Sequence, residues 1–409
     1  MSDFEYAIIG GGIHGTHIAN KMVNEGGLET EDLAVFDPQG YGEIFDQRTS
    51  NSGTDYLRSP EVHHVAENPF NLKAYAEGRD RDQELVSDGS NPLRPSTDLF
   101  MDHLNYVVES NNLQDSLIED YVTELREDGS LVVETEEDIY TAENGVLAVG
   151  NGRPNYPEFA EKVSDNAPIS HVFDDGFSSE DAQRYDGETV IVGGSITAGQ
   201  LSGFLSRECE GGVTMMSRSP VELELVEAEP EWINWSHIED ELHSLETEER
   251  HQKVQEERYD GSMPGYVWDD LKNCLDEGNL RIWHDEISEL EYDGEALEVR
   301  TEKNRRIDDA QVVLATGFES IYDHPFVEST AENLNLAVTE DLSMPVLDDE
   351  NLRWKKEEGE GSRLQISGKL AEGTVGPFAG NIAGARRAAE RIVENNEVRR
   401  DMTVTVGNR

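Results

Sequence analysis

Phe4-Glu5-Tyr6-Ala7-Ile8-Ile9-Gly10-Gly11-Gly12-Ile13-His14-Gly15 carries the clearest signal of the fold. A short, largely apolar strand runs directly into a glycine loop. Ile13, His17, Ile18, Met22 and Val23 then fall roughly on one helical face before Gly26-Gly27 stops it. Gly10 permits the sharp strand-to-helix turn, Gly12 lets backbone approach a pyrophosphate, and Gly15 lets the helix pack closely on the strand. The amides of Ile13 and His14, at the positive end of the helix, would face the phosphates. Leu33-Ala34-Val35-Phe36-Asp37 follows as a second strand ending in a carboxylate. Asp37 lies about 20 residues beyond Gly15, where such units place the acid that binds a ribose hydroxyl.

The arrangement returns later. Thr189-Val190-Ile191-Val192 leads into Gly193-Gly194-Ser195-Ile196-Thr197-Ala198-Gly199, with Ser195 in place of the middle glycine and Ala198 in place of the third. Gly193, Ser195, Ile196 and Thr197 are therefore the second set of candidate cofactor contacts. The strand that follows, Val213-Thr214-Met215-Met216, ends in Ser217-Arg218. An acid there would repel a 2′-phosphate, whereas Arg218 and the Ser217 hydroxyl could bind one, which predicts NADP in preference to NAD. A solvated arginine at a strand end is the plainer reading of Arg218. Two such loops, each in strand–turn–helix context, predict two nucleotide cofactors that exchange electrons.

The 409 residues suffice for two or three domains. Acidic residues number 87 against 33 basic ones, for a formal charge of −54, and 36% of the chain is apolar. Periodic strands and this apolar content exclude an acidic disordered chain. A folded protein with a carboxylated surface, suited to a salt-rich cytoplasm, is expected instead. The charge argues against nucleic acid and anionic membranes as partners. No apolar run approaches a membrane span and no signal peptide precedes the first strand, so a soluble cytoplasmic protein is expected. Cys209 and Cys274 form no CxxC, which disfavours dithiol-relay chemistry. His14 with His17, and His63 with His64, lack partner ligands at suitable spacing, so no metal is predicted.

Val146-Leu147-Ala148-Val149-Gly150 and Val312-Val313-Leu314-Ala315-Thr316-Gly317 each follow one of the loops as a glycine-ended strand, a weak internal duplication. Gly150, Thr316 and Gly317 thus mark places where backbone passes close to a cofactor or to the other domain. Alternating residues at 131–141 and 297–307 predict small antiparallel hairpins, and the charged segment 221–257 reads as helical and solvated. Trp232 and Trp235 within it are expected to be packing anchors. Near the end, Gly376-Pro377-Phe378-Ala379-Gly380-Asn381 turns into a helix of small residues, and Asn381 is a further candidate cofactor contact.

GGGIHGTHIA, LATGF, the stretch Tyr56-Leu57-Arg58-Ser59-Pro60-Glu61-Val62-His63-His64 and GPFAGNIAGARRAAERI together resemble the two-dinucleotide FAD/NAD(P)-binding oxidoreductases. Within that superfamily the chain is similar to the lysine/ornithine N-hydroxylases and flavin-containing monooxygenases. The resemblance implies an α/β protein with two Rossmann-like domains, the NADP domain (156–320) inserted into a discontinuous FAD domain (1–155 and 321–409). It implies FAD in the first loop and NADPH in the second. It also implies hydride transfer from NADPH to FAD and then oxygen activation at flavin C4a, acting on a small-molecule substrate. Arg58, His63 and His64 are the candidate catalytic side chains near the flavin edge. Departures from the group are Ala310 where the N-hydroxylases carry an aspartate, Phe318 in place of a tyrosine, and no FxGxxxHxxxW segment. Two other readings remain open: an NADPH-dependent flavin reductase passing electrons to a quinone or protein acceptor, and a flavin redox sensor without turnover. Substrate identity and oligomeric state are not legible.

Overall fold

The computed structural model describes residues 2–87, 92–164, 166–209, 211–359 and 361–394. The chain opens with β1 (Phe4–Ile9), α1 (Ile13–Asn24), β2 (Leu33–Phe36), α2 (Glu43–Asn51) and α3 (Thr97–Ser110). Next come β3 (Leu117–Ile118), β4 (Val122–Glu127), β5 (Leu131–Thr135) and β6 (Ile139–Leu147). A second run holds β7 (Ile169–His171), β8 (Glu188–Val192), α4 (Ile196–Glu208), β9 (Val213–Ser217), α5 (Thr247–Glu257) and α6 (Gly265–Glu277). It continues through β10 (Leu280–His284), β11 (Ile287–Tyr292), β12 (Leu297–Thr301), β13 (Arg306–Ile307) and β14 (Ala310–Leu314). The chain then returns with β15 (Arg353–Lys355), β16 (Gly361–Ile366), α7 (Glu372–Val375) and α8 (Ile382–Glu394).

Two sheets result. The first has eight strands and runs β15-β16-β6-β1-β2-β3, with β4 and β5 continuing from β6 as an antiparallel extension. From β16 to β3 every pairing is parallel. The second runs β10-β9-β8-β14-β7, all parallel. Parallel strands need both faces covered, and β1 and β2 answer with near-continuous apolar runs, Ile8 and Val35 having no exposure at all. The first sheet takes strands from before and after the second, so one α/β unit interrupts the other.

β6 is longer than either of the two short segments read from sequence. Its first half pairs antiparallel with β5 and its second half lies parallel to β1, so the expected hairpin and the strand before Gly150 are one strand. The segment 221–257 also differs from a single solvated helix. Pro230 starts a short 3-10 turn, Asn234 caps the helix Trp235–Glu241, and α5 follows separately. Trp232, Trp235, Ile238, Leu242 and Val254 form a small core there with Phe378, from the loop before α8. Both tryptophans are packing anchors, as expected.

Candidate dinucleotide crevices

Ile9, Leu147 and Ile366 lie level across β1, β6 and β16, so three neighbouring strands end together. Each is followed within a few residues by a glycine of positive φ: Gly10 at +108°, Gly150 at +78° and Gly368 at +86°. In open parallel sheets, ligands bind outside the carboxyl ends of the strands. A Cβ at Gly10 would sit 2.4 Å from the Ala148 carbonyl oxygen, and one at Gly15 only 1.8 Å from that of Gly10. Those two glycines answer the chain's own packing. Gly12 does not: a Cβ there meets nothing within 4 Å, because the position faces open space at the start of α1. The Thr16 hydroxyl donates to the Gly11 and Gly12 carbonyls, which fixes the loop shape.

Ile13 begins α1 and is buried. His14 Nδ1 lies 2.8 Å from Ser367 Oγ, while its buried Nε2 lies near the Gly380 and Asn381 carbonyls without a well-formed bond to either. The crevice therefore brings His14, Gly150 and Asn381 together with Ser367 and Gly368, at the end of the strand whose sequence lacks the Gly-Asp pair of many disulfide reductases. Burial pushes the His14 imidazole down to about 4, so the ring is neutral at neutral pH. Asn381 Oδ1 accepts from the Gly384 amide at the start of α8. The Asp37 carboxylate accepts from the amides of Gly11 (2.7 Å), Gln39 (2.9 Å) and Gly40 (3.1 Å), which holds it rigidly at the end of β2. Asp37 and Gly10 border a cavity of about 170 Å³, with Pro38, Tyr121 and Asn151.

The second crevice repeats the construction. The Gly193 amide donates to Met216 and the Ala315 amide to Val192, as Gly10 does to Phe36 and Ala148 to Ile9. A Cβ at Gly193 would sit 2.5 Å from the Ala315 carbonyl oxygen. Ser195 precedes α4 without a side-chain capping bond, and the Ile196 and Thr197 amides of the first turn have no acceptor within the helix. Ser217 Oγ donates to the Ser219 carbonyl and lies 3.4 Å from His284 Nδ1. Arg218 is exposed and makes no hydrogen bond or ion pair among the described residues. Thr316 and Gly317 follow directly on Ala315, where the chain passes into the connection between the units. Thr316 Oγ1 donates to the Asn155 carbonyl at 2.6 Å and the Asn155 amide to that of Gly317 at 3.0 Å, so the two crossing segments are laced together.

Between the units, Phe318 stacks on Phe173 with centroids 4.9 Å apart, and the Arg48 guanidinium from α2 lies 5.3 Å and 5.6 Å from the two rings. Such contacts contribute ~0.5–2 kcal/mol each. Phe318 thus serves the interface. The three candidate catalytic residues have separate fates. Arg58 donates to the carbonyls of Glu224, Leu225 and Val226 and to Ser262 Oγ, a strut between the units rather than a free cation. His64 is fully buried: its Nδ1 accepts from the Ala66 amide and its Nε2 faces the Pro69 carbonyl at 3.3 Å. His63 alone keeps a side chain with no hydrogen-bond partner among the described residues, and it lines a second cavity.

Beside Gly368 a buried cluster holds α7. Glu372 accepts from Tyr322 Oη (2.8 Å) and His251 Nδ1 (3.0 Å) and pairs with Lys369. Burial pushes its carboxyl up, but His251, Lys369 and Tyr322 outweigh this and hold it down to about 2. Residues 4–341 match the pyridine nucleotide-disulphide oxidoreductase family. The chain belongs to that family. Solved structures with the same fold include an ornithine N-hydroxylase from Kutzneria sp. 744, held with reduced FAD, NADP+ and L-ornithine. It is 15% identical, with a TM-score of 0.78 over 96% of this chain and 98% of that one. A cadaverine monooxygenase of desferrioxamine biosynthesis from Erwinia amylovora, bound to FAD, is 13% identical, with a TM-score of 0.74 over 97% and 96%. Bacillithiol disulfide reductase from Staphylococcus aureus is 16% identical, with a TM-score of 0.64 over 96% and 98%. No curated protein matches the chain.

The family name points to disulfide chemistry, but this member's cysteines are ill placed for it. Both are free; Cys274 is buried in α6, and Cys209, just past α4, has its thiol raised by burial. Among the described residues no three His, Cys, Asp or Glu side chains converge as metal ligands. No described helix is long and apolar enough to cross a membrane.

Proposed function

We propose that the chain is an FAD- and NADPH-dependent oxidoreductase of the monooxygenase type, with FAD in the Gly10–Gly12 crevice and NADPH in the Gly193–Ser195 crevice. The observation that carries this reading is the doubled construction: two glycine-ended parallel strand sets, each with a helix N-terminus at its mouth. The residues present fit the two groups. Gly12 leaves the approach that a pyrophosphate needs, and the first amides of α1 supply its donors. Asp37 takes the ribose, and Asn381 with the start of α8 takes the flavin end. Arg218, exposed and unpaired among the described residues, takes the 2′-phosphate. The domain limits follow: FAD at 1–155 and 321–409, NADPH at 156–320. Bound FAD would supply the hydride-accepting and oxygen-reacting chemistry, and the protein supplies orientation and exclusion of water.

Cofactor orientation is set by the chain's own residues. The Arg48–Phe173–Phe318 stack and the 152–155 and 317–319 lacing hold the second unit against the first, which fixes the approach of one crevice to the other. The neutral His14, tied to Ser367, adds no charge beside Gly150 and Gly368. The similarity to an ornithine N-hydroxylase supports oxygen insertion into a small molecule. An electron transfer to a quinone or protein acceptor is the second reading, favoured by the absence of the FxGxxxHxxxW segment. The test is to reduce the holoprotein with NADPH without oxygen, admit oxygen, and measure products with a panel of small amines. A hydroxylated amine in step with NADPH consumed supports the monooxygenase. Quantitative hydrogen peroxide with every amine, and turnover with quinones, establishes the reductase.

A further inference from the structure

The cavity that His63 lines shares no lining residue with the one bordered by Gly10 and Asp37. It is about 160 Å³ and is walled by Val62, His63 and Pro69, by Ile233 of the inserted unit, and by Ala383, Arg386 and Arg387 of α8. At 100° per residue, positions 383, 386 and 387 lie on a different face of α8 from the buried stripe of Ile382, Ala385, Ala389 and Ile392. Three basic side chains and no carboxylate line this cavity, in a chain where acids outnumber bases 87 to 33.

The bases keep donors in hand. Arg386 Nη2 donates to the carbonyls of Ala66 (3.1 Å) and Glu67 (2.6 Å), its Nε is buried without a partner, and it makes no ion pair among the described residues. Arg387 donates Nε to the Ile233 carbonyl (2.8 Å) and Nη1 to Glu390 (2.7 Å), and no bond of its Nη2 is found among the described residues. The His63 imidazole is pushed down to about 4 by burial and then by Arg386, Arg94 and Arg387, all of them positive. Part-buried guanidinium donors that lack a protein partner favour an acceptor, and an anion supplies it best. The remaining walls, Val62, Pro69, Ile233 and Ala383, are apolar.

We propose that this cavity is a binding site for the carboxylate of a small organic acid. The acid head accepts from the free guanidinium donors of Arg386 and Arg387 and from His63. A short hydrocarbon body lies on the apolar walls. The cavity, about 160 Å³ and open on one side, takes the acid head and a short chain, and a longer chain would extend past its walls. The proposal rests on the cavity's own donors and walls, not on which cofactor fills either crevice.

The experiment is calorimetric titration of the full-length holoprotein with acetate, propionate, butyrate, hexanoate and butyramide at one fixed chloride concentration. Affinity is expected to rise about fourfold per methylene as far as butyrate and then level off. Butyramide should bind about tenfold or more weakly than butyrate, and Arg387→Gln and His63→Gln should each weaken butyrate, the arginine change by about tenfold. Equal binding of butyramide and butyrate overturns the proposal, as does unchanged butyrate affinity in both variants. Chloride competing as tightly as butyrate makes it a general anion site and overturns the carboxylate assignment. Should Arg387→Gln fail to fold, Arg386→Lys, which keeps the charge but loses the fork, must show the same loss. Heat is the readout, so butyrate binding to a protein that NADPH cannot reduce upholds the cavity and overturns only the redox reading.

Discussion

Gly12→Ala separates the needs of the fold from the needs of the ligand. Gly12 has φ −62° and ψ −169°, an extended conformation open to alanine, and the added Cβ meets nothing within 4 Å. The folded apoprotein should therefore tolerate the change. Restricting the unfolded chain even adds about 0.4–1 kcal/mol of stability. FAD binding should suffer, because the methyl occupies the space through which the loop amides reach the pyrophosphate. Losing one charge-assisted hydrogen bond costs about 1.5–3 kcal/mol, or roughly tenfold to a hundredfold in Kd. Gly15→Ala is the control, since its Cβ would stand 1.8 Å from the Gly10 carbonyl oxygen and must displace α1 in the apoprotein itself. The assay is a thermal melt of each apoprotein with and without FAD, together with flavin retained through gel filtration. An apo Gly12→Ala protein that melts like wild type but gains little from FAD is expected. Wild-type flavin affinity in Gly12→Ala would refute the placement of the pyrophosphate.

Arg218→Ala should raise KM for NADPH by about tenfold or more while leaving KM for NADH nearly unchanged; a parallel loss for both cofactors would put Arg218 outside the 2′-phosphate site. Acid should unfold the apoprotein well above the carboxylate range. His14, His63, His64 and His171 are held down to about 4 and His103 to about 3, chiefly by burial. In the unfolded chain each takes up its proton near 6.5. Their stabilising effect is thus complete above that pH and is lost as pH falls towards 4, at most about 2 kcal/mol for each group by pH 5. Urea midpoints flat from pH 7 to 5 would contradict this. With a formal charge of −54, the melting temperature should climb from 0.1 M to 2 M potassium chloride, and a flat series would remove the case for salt adaptation.

Local sterics were legible in the sequence. A turn that brings Gly10 against the Ala148 carbonyl and Gly15 against Gly10 admits only glycine, so the loops and their strands could be placed from residue type alone. Asp37, at a strand end, was legible for the same reason. Contacts between distant segments were not. His14 meets Ser367 across 353 positions, and Arg58 reaches the Glu224 and Val226 carbonyls across 166 and 168. Arg58 looked like a reactive cation because its partners, three backbone carbonyls together with Ser262 and Glu227, lie far from it in the chain. The cavity under α8 was equally hidden, since the 62–69 loop and Ile233, which close over Arg386 and Arg387, lie far from them in the chain. The two glycine-ended strands were the signal that could have led to Ser367 and Gly368: a third strand, β16, ends the same way.

In the proposed reaction electrons pass from the second crevice to the first. This transfer is tested most directly by titrating the flavin-loaded protein with NADPH in the absence of oxygen while following flavin absorbance. One equivalent of NADPH should bleach one equivalent of bound flavin, and Arg218→Ala should slow this at limiting NADPH. A yellow protein that stays yellow at excess NADPH would contradict it.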